Sequence, residues 1–134
     1  MLTFNGGGSF SNTENLTLND QESSLKLNGI SEVSKVLISA DLVSGKLQIA
    51  ENSIISTLVH TGSSRVYVEN DKALTVSNSF EIPNGQTMKL LGSGDTRTIN
   101  LPDLLTLSGT LEISSTGYNI SSGTLGLSGG LLEI

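Results

Sequence analysis

The chain has 134 residues, with 7 Lys and Arg against 13 Asp and Glu, which gives a formal net charge of −6. There is no Cys, so disulfides, thiol catalysis and Cys-ligated metal centres are excluded. The Lys and Arg residues are scattered singly in an acidic chain, and we therefore expect no nucleic-acid binding. No apolar run reaches the roughly 18 residues of a membrane helix, and we expect no membrane insertion.

The composition indicates a β-rich chain with many turns. Ser, Thr, Asn and Gly together account for 60 of the 134 residues, whereas only 15% of the residues are charged. Residues 1–15, MLTFNGGGSFSNTEN, are predicted to form an N-terminal arm or a partial cap, followed by a repetitive domain over residues 16–134. The stretch 32–43 is the nearest approach to a helical pattern, but its β-branched and Ser residues disfavour a helix.

A three-residue unit recurs along the chain: an aliphatic residue, any residue, and a second aliphatic residue. Because side chains alternate along a strand, both outer residues of each unit are predicted to point into a core. The units are Leu16–Leu18, Leu25–Leu27, Val36–Ile38, Leu47–Ile49, Val66–Val68, Leu74–Val76, Phe80–Ile82, Met88–Leu90, Ile99–Leu101, Leu105–Leu107, Leu111–Ile113, Tyr118–Ile120, Leu125–Leu127 and Leu132–Ile134.

The spacing of these units predicts the fold. They are separated by turn residues such as Asn28-Gly29, Ser44-Gly45 and Asn84-Gly85, which bend a chain through positive φ angles. Strands of three or four residues are too short for a stable meander. The sequence therefore predicts an all-β fold, a parallel β-helix (β-solenoid), right-handed and three-sided, with about five turns of roughly 21 residues.

The C-terminal third shows the repeat most clearly, since its units lie six or seven residues apart. The predicted core-stacking residues are Leu105, Leu107, Leu111, Ile113, Ile120, Leu125 and Leu127. The sequence stops inside an aliphatic unit, so we expect either that the chain was cut from a longer protein or that Leu132 and Ile134 pair end to end with another subunit. An antiparallel sandwich or jelly roll is the alternative fold, and the wider spacing of the N-terminal half is compatible with it.

Residues that could carry chemistry are few. His60 stands beside a turn Gly and is predicted to be a surface residue at a corner. The stretch 92–97, GSGDTR, lacks the surroundings of a phosphate loop, and Asp95 is predicted to be a turn residue. A carbohydrate-active β-helix would need several acidic residues on one face, and the candidates are Asp20, Asp41, Asp71, Asp95 and Asp103, with Arg65 and Arg97.

The segments SGTLEI (108–113) and SGTLGLSGG (122–130) resemble the repeats of bacterial autotransporter passengers and filamentous-haemagglutinin-type adhesins. The resemblance covers mainly residues 99–134 and implies a right-handed parallel β-helix outside the cell. We expect a non-enzymatic structural or adhesive segment that is extracellular or on the cell surface. Its expected partners are a second copy, bound end to end, or a host or matrix surface, and no cofactor is expected.

Three alternative functions stay open from the sequence. The chain could be a self-assembling filament subunit that pairs through open solenoid ends. It could be a segment of a phage or virus fibre. It could also be a fragment of a carbohydrate-active β-helix enzyme, although no predicted loop is long enough to build one wall of a cleft.

Overall fold

The computed structural model describes residues 2–5, 9–10, 16–30, 32–92, 96–102, 104–113, 117–122, 124–127 and 131–133. All regular structure in these ranges is β-strand. The strands are β1 (Leu2–Asn5), β2 (Ser9–Phe10), β3 (Leu16–Leu18), β4 (Leu25–Asn28), β5 (Glu32–Ile38), β6 (Leu47–Glu51), β7 (Ser53–His60), β8 (Ser64–Val68), β9 (Ala73–Glu81), β10 (Thr87–Leu91), β11 (Arg97–Asn100), β12 (Leu104–Leu107), β13 (Thr110–Ile113), β14 (Tyr118–Ser121), β15 (Thr124–Leu127) and β16 (Leu131–Glu133).

The strands form three sheets in which every described pairing is parallel. The first sheet has the order β1-β4-β6-β8-β10-β13-β16, and the second has the order β14-β11-β9-β7-β5-β2, with β3 also pairing with β5. The third sheet is β12-β15. Apart from β2 and β3, strands that follow each other in the chain lie in different sheets. The chain therefore winds as a coil, and the predicted all-β parallel solenoid is confirmed. Its handedness and its number of turns stay predictions.

The strand register shows the length of one turn. Leu25 lies opposite Leu47, and Leu47 lies opposite Val66. Paired residues of neighbouring turns lie between 19 and 25 positions apart, and hydrogen bonds such as Ser39 to Leu18, 21 positions apart, and Ser63 to Gln86, 23 positions apart, join the turns. These spacings agree with the predicted turn of roughly 21 residues.

The core is a set of columns made by the outer residues of the aliphatic units. Leu27, Ile49 and Val68 lie opposite one another on successive strands of the first sheet, and all three are 0% exposed. In β4 and β6 buried and partly exposed positions alternate, as the period of two requires. The predicted inward direction of the aliphatic pairs is therefore confirmed where these strands are described.

Two sides of the coil are formed by single long strands. β5, β7 and β9 have 7, 8 and 9 residues, whereas the sequence predicted strands of three or four residues. β2 pairs with the beginning of β5 and β3 with its end, and the pairing of β7 with β9 shifts register between Ile55 and Thr57. Each long strand thus bends from one side to the next without a corner loop. Val33 and Ile55 enter the core there, although neither belongs to a predicted unit.

The corners depend on glycine in two different ways. Gly29 and Gly85 have φ angles of +83° and +85°, as expected for turn glycines. Gly45 has no positive φ; instead, a Cβ there would overlap the Ser23 carbonyl of the preceding turn and lie 2.8 Å from its carbon. Glycine is therefore needed at position 45 because two backbones approach closely, and not because of a positive φ.

Part of the predicted N-terminal arm lies on the solenoid. β1 pairs with β4 in the register Leu2↔Leu25, and β2 pairs with β5 in the register Ser9↔Glu32. The boundary at residue 16 and the role of the arm as a cap stay predictions. Within the described ranges, no helix has the length and apolar character needed to cross a membrane.

Candidate functional site

The outward face of the first sheet collects cations that are far apart in the sequence. Outward positions alternate with buried ones along these strands, and Lys26, Arg65 and Lys89 occupy outward positions on β4, β8 and β10. Lys46 adds a fourth cation immediately before the buried Leu47. Four of the seven Lys and Arg residues therefore lie on one face of an acidic protein.

Three of these cations are in line along the solenoid. Arg65 lies directly opposite Lys89. Lys46 precedes Leu47, and the partner of Leu47 is Val66, so Lys46 occupies the same line one strand earlier. Neighbouring strands are about 4.8 Å apart, and Lys46, Arg65 and Lys89 thus form a single column, here called the basic column.

The cations of the basic column are held in different ways. Arg65 Nη1 donates hydrogen bonds to the carbonyl oxygens of Val43, at 2.8 Å, and Gly45, at 3.4 Å. Lys46 Nζ lies 5.4 Å from the centroid of the Tyr67 ring, within cation–π range. Lys89 Nζ lies 3.7 Å from Glu112 Oε1 in a pair that is 43% and 33% exposed. Exposed pairs of this kind contribute little to stability and are easily exchanged.

This face was not predicted from the sequence, because its cations were interpreted as scattered single residues. The signal is their shared position within the repeat: LKL at 25–27, KLQI at 46–49 and MKL at 88–90 each place a cation on the outward side of a first-sheet strand. The remaining cations lie elsewhere. Lys72 pairs with Glu51 at 2.8 Å, and Arg97 is buried.

His60 lies inside the core, and its predicted position at a surface corner is wrong. It is 1% exposed, because Leu58 and His60 occupy the alternating inward positions of β7. His60 Nδ1 lies 2.8 Å from the carbonyl oxygen of Glu81, and Nε2 lies 2.7 Å from Ser64 Oγ. With Nδ1–H donating to the carbonyl, Nε2 accepts from the Ser64 hydroxyl. Burial lowers the pKa of His60 from 6.5 to about 4, so the ring is neutral at pH 7.

The contact between Ser64 and His60 has the geometry of a nucleophile and its base, but it has no path to a substrate. Ser64 is 2% exposed. The edge of the imidazole faces Phe80, with the ring centroids 6.3 Å apart and the planes at 74°. These contacts indicate a structural role, in which the two polar groups satisfy each other across the corner between β7 and β8.

Arg97 is also buried, at 1% exposure. Its Nη2 donates a 2.6 Å hydrogen bond to Asn70 Oδ1, and its Cζ lies 5.7 Å from the ring centroids of both Tyr67 and Tyr118. Gly92 has a φ of +126° and leaves room for the guanidinium, since a Cβ there would lie 2.8 Å from Cζ. This arrangement is typical of a packed internal cation and not of a catalytic arginine.

Three of the acidic residues proposed for a carbohydrate-active site lie between described strands of the coil. Asp20 and Asp41 precede first-sheet strands, whereas Asp71 lies in the turn after one. Asp95 and Asp103 are outside the described residues. Among the residues that the structure does describe, no group of three His, Asp or Glu side chains is suited to holding a metal ion.

The predicted core-stacking residues lie on the last described turns. Leu107 and Leu111 are buried, and Ile113 and Ile120 pack against the core. The backbone of Leu105 lies opposite that of Leu125, and the backbone of Leu107 opposite that of Leu127. The side chains of Leu105, Leu125 and Leu127 are outside the described part.

The predicted end-pairing residues are described only in part. The backbone of Leu132 lies opposite Leu111, within the chain, and its side chain is outside the described part. Ile134 lies outside the described residues. End-to-end pairing stays a prediction.

Comparisons with protein-family models, with curated proteins and with solved structures find no match for this chain. What the structure shows is therefore the β-solenoid fold.

Proposed function

We propose that the chain is a non-enzymatic structural and adhesive β-solenoid segment of an extracellular or cell-surface protein. The observation that carries the proposal is the uninterrupted parallel ladder, in which aliphatic columns such as Leu27, Ile49 and Val68 run along the coil. A core of this kind makes a stiff scaffold, because every turn is hydrogen-bonded to its neighbours. The resemblance of SGTLEI and SGTLGLSGG to adhesin repeats supports the same proposal.

The outward faces of this scaffold suit recognition of an extended partner. On the second sheet, Thr75 lies opposite Asn100, and Asn100 lies opposite Ser121. Asn100 Nδ2 donates a 3.2 Å hydrogen bond to Thr75 Oγ1, which orders the polar column. Repeated polar groups at strand spacing favour a partner that also repeats, such as a polysaccharide or a fibrous matrix protein.

Two measurements test the proposal. An antibody raised against the purified chain is expected to label intact cells of the organism that encodes it, and labelling only after permeabilisation would contradict the surface location. The purified chain is expected to bind at least one component of a panel of matrix proteins and polysaccharides without creating new reducing ends. Turnover of any polysaccharide, or binding to no component, would contradict the non-enzymatic adhesive function.

The filament, fibre-segment and enzyme alternatives stay predictions. Of these, the enzyme alternative is the one that the described side chains address most directly. The nucleophile and base geometry of Ser64 and His60 is buried, and of the described acidic candidates Asp20 and Asp41 precede first-sheet strands whereas Asp71 follows one. These observations favour a binding function over hydrolysis.

A further inference from the structure

We propose that the basic column, Lys46, Arg65 and Lys89, binds a linear polysaccharide that carries one carboxylate on each sugar. This inference rests on the proposed adhesive function and names the partner class of one face. It starts from the unequal distribution of charge. A protein with a net charge of −6 places four of its seven cations on the outward face of a single sheet.

The geometry of the column favours a thin, extended partner. The register places Arg65 opposite Lys89 and puts Lys46 in line one strand earlier. The cations therefore repeat at the strand spacing of about 4.8 Å along the axis. A polyuronate presents its carboxylates in single file, one for each pyranose ring, so it can meet successive cations when it lies along the axis.

The donors of the column are suited to carboxylates. Nη1 of Arg65 is fixed by the carbonyl oxygens of Val43 and Gly45, which leaves the donors on Nη2 and Nε for a bidentate contact. The partner of Lys89 is the partly exposed Glu112, at 3.7 Å. A ligand carboxylate can replace Glu112 as the partner of Lys89, because the Lys89–Glu112 pair is long and partly exposed to solvent.

A second, parallel column on the same face supplies groups for sugar hydroxyls. Lys26 lies opposite Gln48, and Gln48 lies opposite Tyr67. All three are partly exposed. The Gln48 amide can donate and accept hydrogen bonds with neutral hydroxyls, and Lys26 adds a further cation beside the basic column.

The corners on either side of this face disfavour a wide polyanion. The exposed Glu22 and Asp41 precede β4 and β6, whereas Glu51 ends β6 and Glu69 follows β8. Duplex DNA carries about one negative charge for each 1.7 Å of its length, and its width would bring phosphates close to these carboxylates. A single glycan chain with fewer charges can remain over the central cations. The charge pattern therefore favours an acidic glycan over a nucleic acid.

The test measures calorimetric binding of polygalacturonate to the full chain at low salt, with dextran as the neutral probe. Polygalacturonate is expected to bind more tightly than dextran or duplex DNA, and its affinity is expected to fall as the salt concentration is raised. The double variant K46Q/K89Q is expected to lose about tenfold in affinity, because two of the three in-line contacts are removed. The matched variant K35Q/K72Q, which has the same net charge, is expected to stay within about twofold of the parent.

Thermal unfolding of both variants controls for folding. Equal losses in the two variants would contradict the proposal, since net charge alone would then explain the binding. Stronger binding of DNA, or no binding of polygalacturonate, would also overturn it. The proposal would also be contradicted if the parent dimerised at low salt and only K46Q/K89Q abolished the dimer, because the face would then bind a second copy of the chain. If polygalacturonate does not bind while another matrix component does, this inference fails and the adhesive function stands.

Discussion

At the scale of the residue, His60 shows how a solenoid core accommodates a polar side chain. Two hydrogen bonds, to the Glu81 carbonyl and to Ser64 Oγ, satisfy both ring nitrogens within a column that is otherwise aliphatic. Ile38 lies directly opposite His60 on the neighbouring strand. The neutral imidazole is accepted because neither nitrogen is left unpaired, and burial of a polar group costs most when it has no partner.

The buried imidazole predicts a pH-dependent loss of stability. The pKa of His60 is about 4 in the folded chain and 6.5 when exposed, so between these values the unfolded state binds the additional proton. The contribution of neutral His60 to the free energy of unfolding is therefore complete above pH 6.5. It declines by on the order of 3 kcal/mol as the pH falls towards 4. Urea unfolding at a series of pH values measures this change.

The His60→Gln variant is the control for the pH series, because the two proteins differ only at this side chain. The parent is expected to lose more unfolding free energy than His60→Gln between pH 7 and 4. Parallel pH profiles for the two proteins would contradict the buried, neutral histidine.

At the scale of the element, the alternation of buried and exposed positions decides which aliphatic residues stabilise the fold. Ile49 in β6 is 0% exposed, whereas Ile54 in β7 is 38% exposed and points outward. The same residue type, five positions apart in the chain, therefore faces opposite environments. The two residues form a matched pair for measuring what the core column contributes.

Truncation of these two isoleucines is expected to have different effects. Ile49→Ala should lower the free energy of unfolding by about 2 to 5 kcal/mol, because it leaves a cavity in a packed column. Ile54→Ala should change it by about 0.5 kcal/mol or less, since its side chain points outward and its removal leaves no cavity in the core. Chemical unfolding monitored by circular dichroism compares them. Equal losses would show that Ile49 is not a core residue.

The elements also show how far sequence reasoning reached. Aliphatic units such as Leu47–Ile49 and Val66–Val68 could be recognised because both of their outer residues obey the period of two. The full length of β5 and β7 was harder to predict. Each strand bends, and the alternation of buried and exposed residues shifts by one position at the bend. Val33 and Ile55 are core residues before the bend, and they do not fit the alternation of buried positions that follows it.

At the scale of the whole molecule, the fold brings together residues that have no relation in the sequence. The basic column needs the register of three strands, and Lys46 and Arg65 become neighbours only when the turn between them has its actual length. A one-residue error in register would move each cation to the opposite face of the sheet. The outward position of each cation could be predicted from the repeat, but the alignment of the cations with one another depends on the register of the strands.

The central claim is that adjacent strands are parallel and one turn apart, and pairs of introduced cysteines test it directly. The chain has no Cys of its own, and β9 and β11 are paired in the register Ala73↔Thr98 and Thr75↔Asn100, with all four residues on the outward face. Partners directly opposite each other lie within disulfide range, whereas diagonal partners two residues further along do not.

The parallel solenoid predicts that A73C/T98C and T75C/N100C form intramolecular disulfides under mild oxidation. It also predicts that the diagonal pairs A73C/N100C and T75C/T98C stay reduced. Mass spectrometry of the oxidised variants, measured before and after alkylation, gives the result. Efficient bonds in the diagonal pairs, with none in the direct pairs, would mean that these strands are antiparallel and would contradict the solenoid.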